Sequence, residues 1–239
     1  MKLENINNLT SLWKTVGLSM NSYNSNNKLE SVIVEGSEWP NKIWAKGDLT
    51  SELITEVKDI TLSSTENISF PYWNNFNNEK FLFENNGFKI KSEQVGMSLK
   101  LSSKFDFEER ISLKEITELN EALIWEDNYP MSFGYRISKE IVLAANNSIK
   151  FYLVSYNDEI IGTAIMYFTG KIAGIHGVGV IPSYRRKGFA EEIMKVLLND
   201  ALEYGADYST LQASSMGKGI YKRLGYSEDF LISNYIMAD

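Results

Sequence analysis

From Val180 to Ala201 the chain reads VIPSYRRKGFAEEIMKVLLNDA: an apolar strand end, three consecutive cations, a glycine, then apolar residues at helical spacing. Pro182 has no N–H to give to a ladder, so it closes the strand. Phe189, Ile193, Val196 and Leu197 fall on one side of the helix that follows. The first turn of such a helix holds backbone N–H groups without intrahelical partners. Arg185, Arg186 and Lys187 raise the positive potential there, Gly188 lets a ligand approach the backbone with no Cβ in the way, and Ala190 keeps the next turn low. This pattern predicts a site for a pyrophosphate or another polyanion; the alternative is a solvated charged face. Cations at a helix N-terminus oppose its dipole by about 0.3–1 kcal/mol, a cost that a bound anion reverses. Neither the P-loop order nor the three-glycine dinucleotide fingerprint is present.

Working outward, KFYLVSYNDEIIGTAIMYF (150–168) reads as two strands joined at Asn157-Asp158, and KIAGIHGVGVIP (171–182) as a glycine-interrupted strand. After the helix, to about Tyr204, come YSTLQA (strand), GKGIYKRLGY (short helix) and FLISNYIM (strand). Before it, LKEITELNEALIW (113–125) has helical spacing and SKEIVLAANN opens on a serine cap. In the first half SVIVEG and GMSLKLS read as strands, and LTSELITEVKDI and NEKFLFENNGF as helices. Asn-rich stretches such as NSYNSNNKLE and YWNNFNNEK read as loops. Interleaved helices and strands predict an α/β (α+β) fold, and the short turns between residues 150 and 180 make the neighbouring strands antiparallel.

FLFENNGFK (81–89) aligns without gaps to GIYKRLGYS (219–227), placing Gly87 on Gly225 and Phe88 on Tyr226, and each copy leads into a final strand. The expectation is two related halves, 1–108 and 109–239; the alternative is two unrelated helices that both end in Gly and an aromatic.

Composition narrows the chemistry. The 239 residues are 44% apolar and 13% aromatic, suited to a packed core. With no cysteine and one histidine, thiolate nucleophiles, disulfides and multi-histidine metal sites are excluded. A net charge of -7 argues against broad binding to nucleic acid or anionic membrane. No stretch has the apolar length of a membrane span or the pattern of a secretory signal, so a cytoplasmic location is expected.

The stretch VGVIPSYRRKGFA resembles the pyrophosphate-binding motif of the GNAT acetyltransferase superfamily, Arg/Gln-x-x-Gly-x-Gly/Ala after a Val-x-Pro strand end. A second motif of that family, LQASSMGKGIYKRLGY, follows in order, and the resemblance covers roughly residues 111–237. It implies a largely antiparallel mixed sheet flanked by helices and a diphosphate of acetyl-coenzyme A at Arg185, Arg186, Lys187, Gly188, Phe189 and Ala190. It further implies pairing of the pantetheine arm with the amides of Val178 and Val180, no metal, and direct attack of an amine on the thioester. Tyr221 takes the place of the acid that protonates the leaving thiolate; read without the family, it is a core tyrosine beside Ile220 and Leu224.

Gly174, Gly177 and Gly179 weaken the strand and predict close ligand approach. His176, four residues before Val180, is expected on the same strand face and is a candidate base; a packed, hydrogen-bonded histidine is the other reading. Glu126 and Asp127 are expected between two helices, near the acceptor site or as a solvated pair. Ser214 stands where the family commonly has a cofactor-holding Asn, and Phe83, aligned with Tyr221, has no proton to give. The implied activity is N-acetylation of a small-molecule or peptide amine by the second half, with the first half a degenerate partner. The competing class is a non-catalytic acyl-coenzyme A sensor or scaffold. The acceptor's identity and the oligomeric state are not set by the sequence.

Overall fold

A computed structural model describes residues 1–73 and 80–238. In chain order the elements are α1 (Lys2–Ser19), β1 (Tyr23–Ser25), β2 (Leu29–Val32), β3 (Lys42–Ala45), α2 (Ser51–Ser63), β4 (Phe70–Tyr72), α3 (Lys80–Asn85), β5 (Phe88–Lys100), β6 (Ser112–Glu115), α4 (Leu119–Phe133), α5 (Lys139–Ala145), β7 (Lys150–Tyr156), β8 (Glu159–Thr169), β9 (Ile172–Val180), α6 (Phe189–Glu203), β10 (Tyr208–Ala213), α7 (Lys218–Arg223) and β11 (Ser227–Met237). The fold is the expected α/β mixture with a mostly antiparallel sheet.

Local chemistry explains most boundaries. Asn157 and Asp158 both take positive φ in the tight β7–β8 turn, the geometry a two-residue hairpin needs. Gly87 and Gly225 end their helices with φ of +84° and +96°. The predicted helix from Leu113 is instead a strand followed by a helix. β6 pairs with β7 over 112–115, and α4 then starts from Glu118, where the Glu121 carboxylate accepts from the amides of Thr117 and Glu118. Glu126 and Asp127 consequently lie inside α4, not between helices. The expected helix start at Asn78 and Glu79 lies outside the described residues.

The sequence pattern does not predict α1. Its apolar face, Ile6, Leu9, Leu12, Trp13 and Val16, is buried, and so are Asn5 and Asn8. That face packs with α4 and α5 on one side of the sheet. On the other side α6 and α7 cover one core, and α2 and α3 cover another.

The large sheet has the order β4-β11-β5-β10-β9-β8-β7-β6. Two strands trade places between the halves: β5 lies between β10 and β11, and β11 lies between β4 and β5. From the Gly87/Gly225 alignment, Val95, Gly96 and Met97 of β5 correspond to Ser233, Asn234 and Tyr235 of β11. The first three pair with Ala213, Gln212 and Leu211 of β10, and the second three with Tyr72, Pro71 and Phe70 of β4. Even the bulges match, because Lys91 and Asp229 are the residues left over where the β5–β11 register shifts. In the same correspondence the parallel contact Gly174↔Thr210 of β9 and β10 matches the parallel bridge Lys42↔Ser69 of β3 and β4. A boundary at 108/109 therefore divides the sequence but not the sheet, since neither half has its last strand beside its own.

Candidate active site

β9 and β10 run parallel but pair only from Ile172↔Tyr208 to Gly174↔Thr210. Beyond that point β9 continues alone to Val180. Its outer edge pairs with β8, and a register shift opposite Ala164 marks a bulge at Gly177 and Val178, with Gly177 at φ +54°. The Ile181 amide donates to Ile161 O at 2.9 Å. By antiparallel alternation the amides of Val180 and Val178 then point away from β8, toward the gap left by β10. This is the backbone arrangement that an extended amide-bearing chain can add to.

The bulge also changes a side-chain expectation. Ala173, Ile175 and Val180 pack in the core beneath α6, whereas His176 turns to the opposite face and meets α1. His176 and Val180 do not share a face, because one extra residue reverses the alternation. His176 Nδ1 lies 3.1 Å from Gln212 Oε1 and Nε2 lies 3.2 Å from Asn8 Oδ1. Burial pushes its pKa down to about 4, against the pull of the Gln212 hydrogen bond. The neutral ring has one N–H to give to these two oxygens, and both of its nitrogens face side chains of the protein.

The glycines of β9 make room for the protein's own side chains. A Cβ at Gly174 would stand 1.8 Å from Asn8 Oδ1, one at Gly177 3.2 Å from Tyr129, and one at Gly179 2.6 Å from both Phe133 and Ser132. The stacked rings of Trp125, Tyr129 and Phe133 along α4 thus lie close over this strand. Glu126 is buried with its carboxylate between Arg136 at 3.3 Å and Lys139 at 3.6 Å, an anchor for the α4–α5 connection.

After β9, Pro182–Tyr184 forms a short 3-10 turn, and α6 starts from Gly188 at φ +88°, a left-handed conformation suited to glycine. No side chain caps this helix. The Glu191 and Glu192 amides reach back to Gly188 O, which leaves the amides of Phe189 and Ala190 for a ligand. Phe189 offers only that amide, for its ring is in the core. The three cations differ in use. Arg185 is spent on the protein: Nε donates to Val180 O at 3.0 Å, and Nη2 reaches the carbonyls of Met131 and Ser132. Lys187 lies over the Tyr184 ring. Arg186, at φ +63°, is exposed and has no polar partner among the described residues.

A fourth cation, not singled out from sequence, belongs to the turn. Arg110 donates to the buried Glu192 carboxylate from Nε at 2.9 Å and from Nη2 at 2.6 Å, and its guanidinium would lie 3.6 Å from a Cβ at Gly188. The only sequence signal was Glu192, a carboxylate on the buried face of α6. Arg110, Gly188, Glu191, Glu192 and Lys195 line a cleft of about 230 Å³ beside the turn.

Tyr221 is on α7, its ring 6.0 Å from that of Tyr226. Its hydroxyl has no hydrogen-bond partner among the described residues, and burial pushes its pKa up to about 12. It stays a proton donor at neutral pH. Ser214, at the end of β10, uses its hydroxyl to accept from the Gly217 amide at 3.2 Å, and a Cβ at Gly217 would stand 3.5 Å from the Tyr221 hydroxyl and 3.6 Å from Ser214 Oγ. The structure brings the β9 amides, the basic turn and the α6 N-terminus together along one run of chain, with Ser214 and Tyr221 placed by β10 and α7. His176 lies across the sheet from Val180. Among the described residues there is no cluster of metal-ligating side chains, and no helix is long and apolar enough to cross a membrane.

Residues 116–226 match the family model for the acetyltransferase (GNAT) family. Solved structures share the fold over much more of the chain. A GCN5-related N-acetyltransferase from Kribbella flavida superposes with a TM-score of 0.73 at 14% identity, covering 98% of this chain and 96% of its own. A GCN5-related N-acetyltransferase from Sphaerobacter thermophilus gives 0.62 at 15% identity, over 87% and 76%. A GCN5-related N-acetyltransferase-like protein from Streptococcus suis gives 0.58 at 16% identity, over 89% and 84%.

Proposed function

We propose that this chain, a member of the GNAT superfamily, is an acetyl-coenzyme A-dependent N-acetyltransferase that acylates a primary amine of a small molecule or peptide in the cytoplasm. One observation carries the reading. A stretch of β9 with one free edge leads through the turn at 182–187 to an uncapped helix N-terminus flanked by Arg186, which has no polar partner among the described residues, so amides for a pantetheine arm and donors for a diphosphate follow one another from Val178 to Ala190.

The residues divide the work. The amides of Val178 and Val180 hold the extended arm, and those of Phe189 and Ala190, with Gly188 giving close approach, receive the diphosphate. Arg186 and Lys187 supply charge to it, while Arg185 braces the end of β9 against α4. Acetyl-coenzyme A brings the activated thioester on which the amine acts. Tyr221 donates its phenolic proton to the sulfur as the C–S bond breaks, and the proton shed by the newly acylated amine restores the phenol. Ser214 orders the loop before α7 and so sets where that phenol stands. His176 serves as a structural link, not as the base. The first half contributes β5 and α1 to the sheet and its cover, with no matching donor site among its described residues.

Calorimetric titration with acetyl-coenzyme A tests this, using the native chain beside an Arg186→Glu/Gly188→Glu variant. Micromolar binding is expected for the native chain, with at least about a hundredfold loss in the variant, as an anion site made repulsive loses several kcal/mol. Absence of binding by the native chain overturns the reading. A non-catalytic acyl-coenzyme A sensor would bind equally well but release no thiol with any amine.

A further inference from the structure

Past Gly174 and Thr210 no backbone ladder joins β9 to β10, so side chains must fix how far apart the two strands stand. A continuous relay crosses the gap on the face covered by α1. Asn5 Nδ2 donates to Met97 O of β5 at 2.9 Å and to Leu211 O of β10 at 3.4 Å. Gln212 Nε2 donates to Asn5 Oδ1 at 2.7 Å, and Gln212 Oε1 faces His176 Nδ1. His176 Nε2 faces Asn8 Oδ1, while Asn8 Nδ2 donates to Tyr167 O at 3.1 Å and Thr169 Oγ1 at 3.0 Å on β8. Four strands are thereby tied through two fully buried asparagines of one helix.

The relay is built in. Each amide is oriented by what it donates to, Asn8 and Asn5 to main-chain carbonyls and Gln212 to Asn5, so the neutral imidazole, with one N–H, donates to one of the two facing oxygens and packs against the other. Gly174 is what admits it, since a Cβ there would strike both Asn8 and His176. In the other half, the position corresponding to Gly174 is Lys42, and its amine reaches straight to Ser69 Oγ at 2.6 Å. One half joins its parallel strand pair at a single bridge, with the lysine on its bridge partner's hydroxyl; the other pairs at three positions and then carries an inserted imidazole anchored on α1.

We propose that the Asn5–Gln212–His176–Asn8 relay is a positioning device that sets the width of the β9–β10 gap, which makes α1 part of the thioester-donor site although it touches no donor-binding residue. The donor-site clause rests on the function proposed above; the gap-setting clause does not.

The test uses the full chain and two readouts. Amide hydrogen exchange of the free protein is compared for the native chain, Asn8→Ala, Gln212→Met (which keeps volume and removes both polar ends) and the exposed control Asn7→Ala. Exchange over 175–180 and 211–213 should rise about tenfold in Asn8→Ala and Gln212→Met, the loss of one net hydrogen bond, and stay unchanged over α6 and in Asn7→Ala. Unchanged exchange in whichever of the two folds overturns the proposal, whether or not any donor binds. With coenzyme A as the probe, Asn8→Ala should bind about tenfold more weakly and raise the KM for acetyl-coenzyme A while kcat holds. Native-like affinity in a variant with faster exchange would refute the donor-site clause alone, and no binding by the native chain would refute the function and leave the exchange result standing. The single histidine gives an internal check, since its imidazole resonances should move in Asn8→Ala and not in Asn7→Ala.

Discussion

Two strand–helix–strand units of this chain follow the same path and end in opposite conditions. In β3–α2–β4 the helix N-terminus is sealed: Thr50 Oγ1 accepts from the Leu53 amide at 3.2 Å, and Glu52 lies in the first turn. In β9–α6–β10 the cap is Gly188, with no side-chain oxygen, and the flanking residues are cations. The Thr50 cap satisfies one orphan donor of the first unit, and the second has no such cap; both helices carry acids in the first turn, Glu52 in α2 and Glu191 and Glu192 in α6, but three cations precede α6. The short helices that follow differ in the same way. Phe83 is fully buried and stacked 3.8 Å from Tyr235, whereas Tyr221 carries a hydroxyl with no partner among the described residues. Matching backbone with unmatched termini teaches that the fold alone does not make the proposed donor site. The site lies in what one unit leaves unsatisfied.

The largest effect that sharpens this contrast comes from Tyr221→Phe, which gives the second unit the residue type of the first. Thiol release should fall about 10²- to 10³-fold, the typical range for a lost general acid, with coenzyme A affinity held. Because burial places the Tyr221 pKa at about 12, native activity should show no alkaline loss from this group below about pH 11. A native-like rate in the variant would return Tyr221 to the core and remove the chemical difference between the two helices.

A smaller effect lies at the paired positions Lys42 and Gly174. Burial, with Lys91 adding to it, lowers the Lys42 pKa to about 8, and among the described residues no carboxylate pairs with the amine. Between about pH 8 and 10.5 the unfolded chain binds this proton and the folded chain does not, so stability rises with pH there, and below pH 8 the charged amine is destabilising. Lys42→Met should therefore stabilise the protein at pH 7 by about 1–2 kcal/mol, with the advantage fading toward pH 10.5. Thermal midpoints of both proteins across that range measure it. A constant difference would mean that packing, not charge, separates them.

How far the sequence reveals this molecule depends on the range of the interactions. The basic turn was readable because a strand end, Pro182, three cations and Gly188 act on adjacent backbone. The likeness of α3 and α7 was readable because Gly87 and Gly225 each end a helix. What escaped was non-local. Asn5 and Asn8 belong to a composition that favours turns, and only contacts with residues as distant as Met97, Tyr167 and Gln212 explain their burial in a helix. The trade of β5 and β11 cannot be seen in either half, because each strand's alternation is the same whichever neighbour it has. The bulge at Gly177 was hidden for a related reason: one inserted residue reversed the face assigned to His176.

The smallest change tests the sealed helix itself. Thr50→Ala removes the oxygen that accepts from Leu53, which should cost about 1 kcal/mol, the usual value for an N-cap threonine, and lower the midpoint by a few degrees. Thr50→Gly, which brings the first unit's cap to the residue of the second, should cost only a few tenths of a kcal/mol, because water reaches the freed amide at this exposed end. Neither variant should gain affinity for coenzyme A. An uncapped helix end supplies donors, but the cation of the turn before α2, Lys46, is engaged with Ser25 Oγ at 2.7 Å and gives α2 no counterpart to Arg186, and the proposed donor site needs both. Coenzyme A binding that appears at α2 on removal of the cap would show that the open terminus alone suffices, and the contrast between the two units would reduce to one side chain.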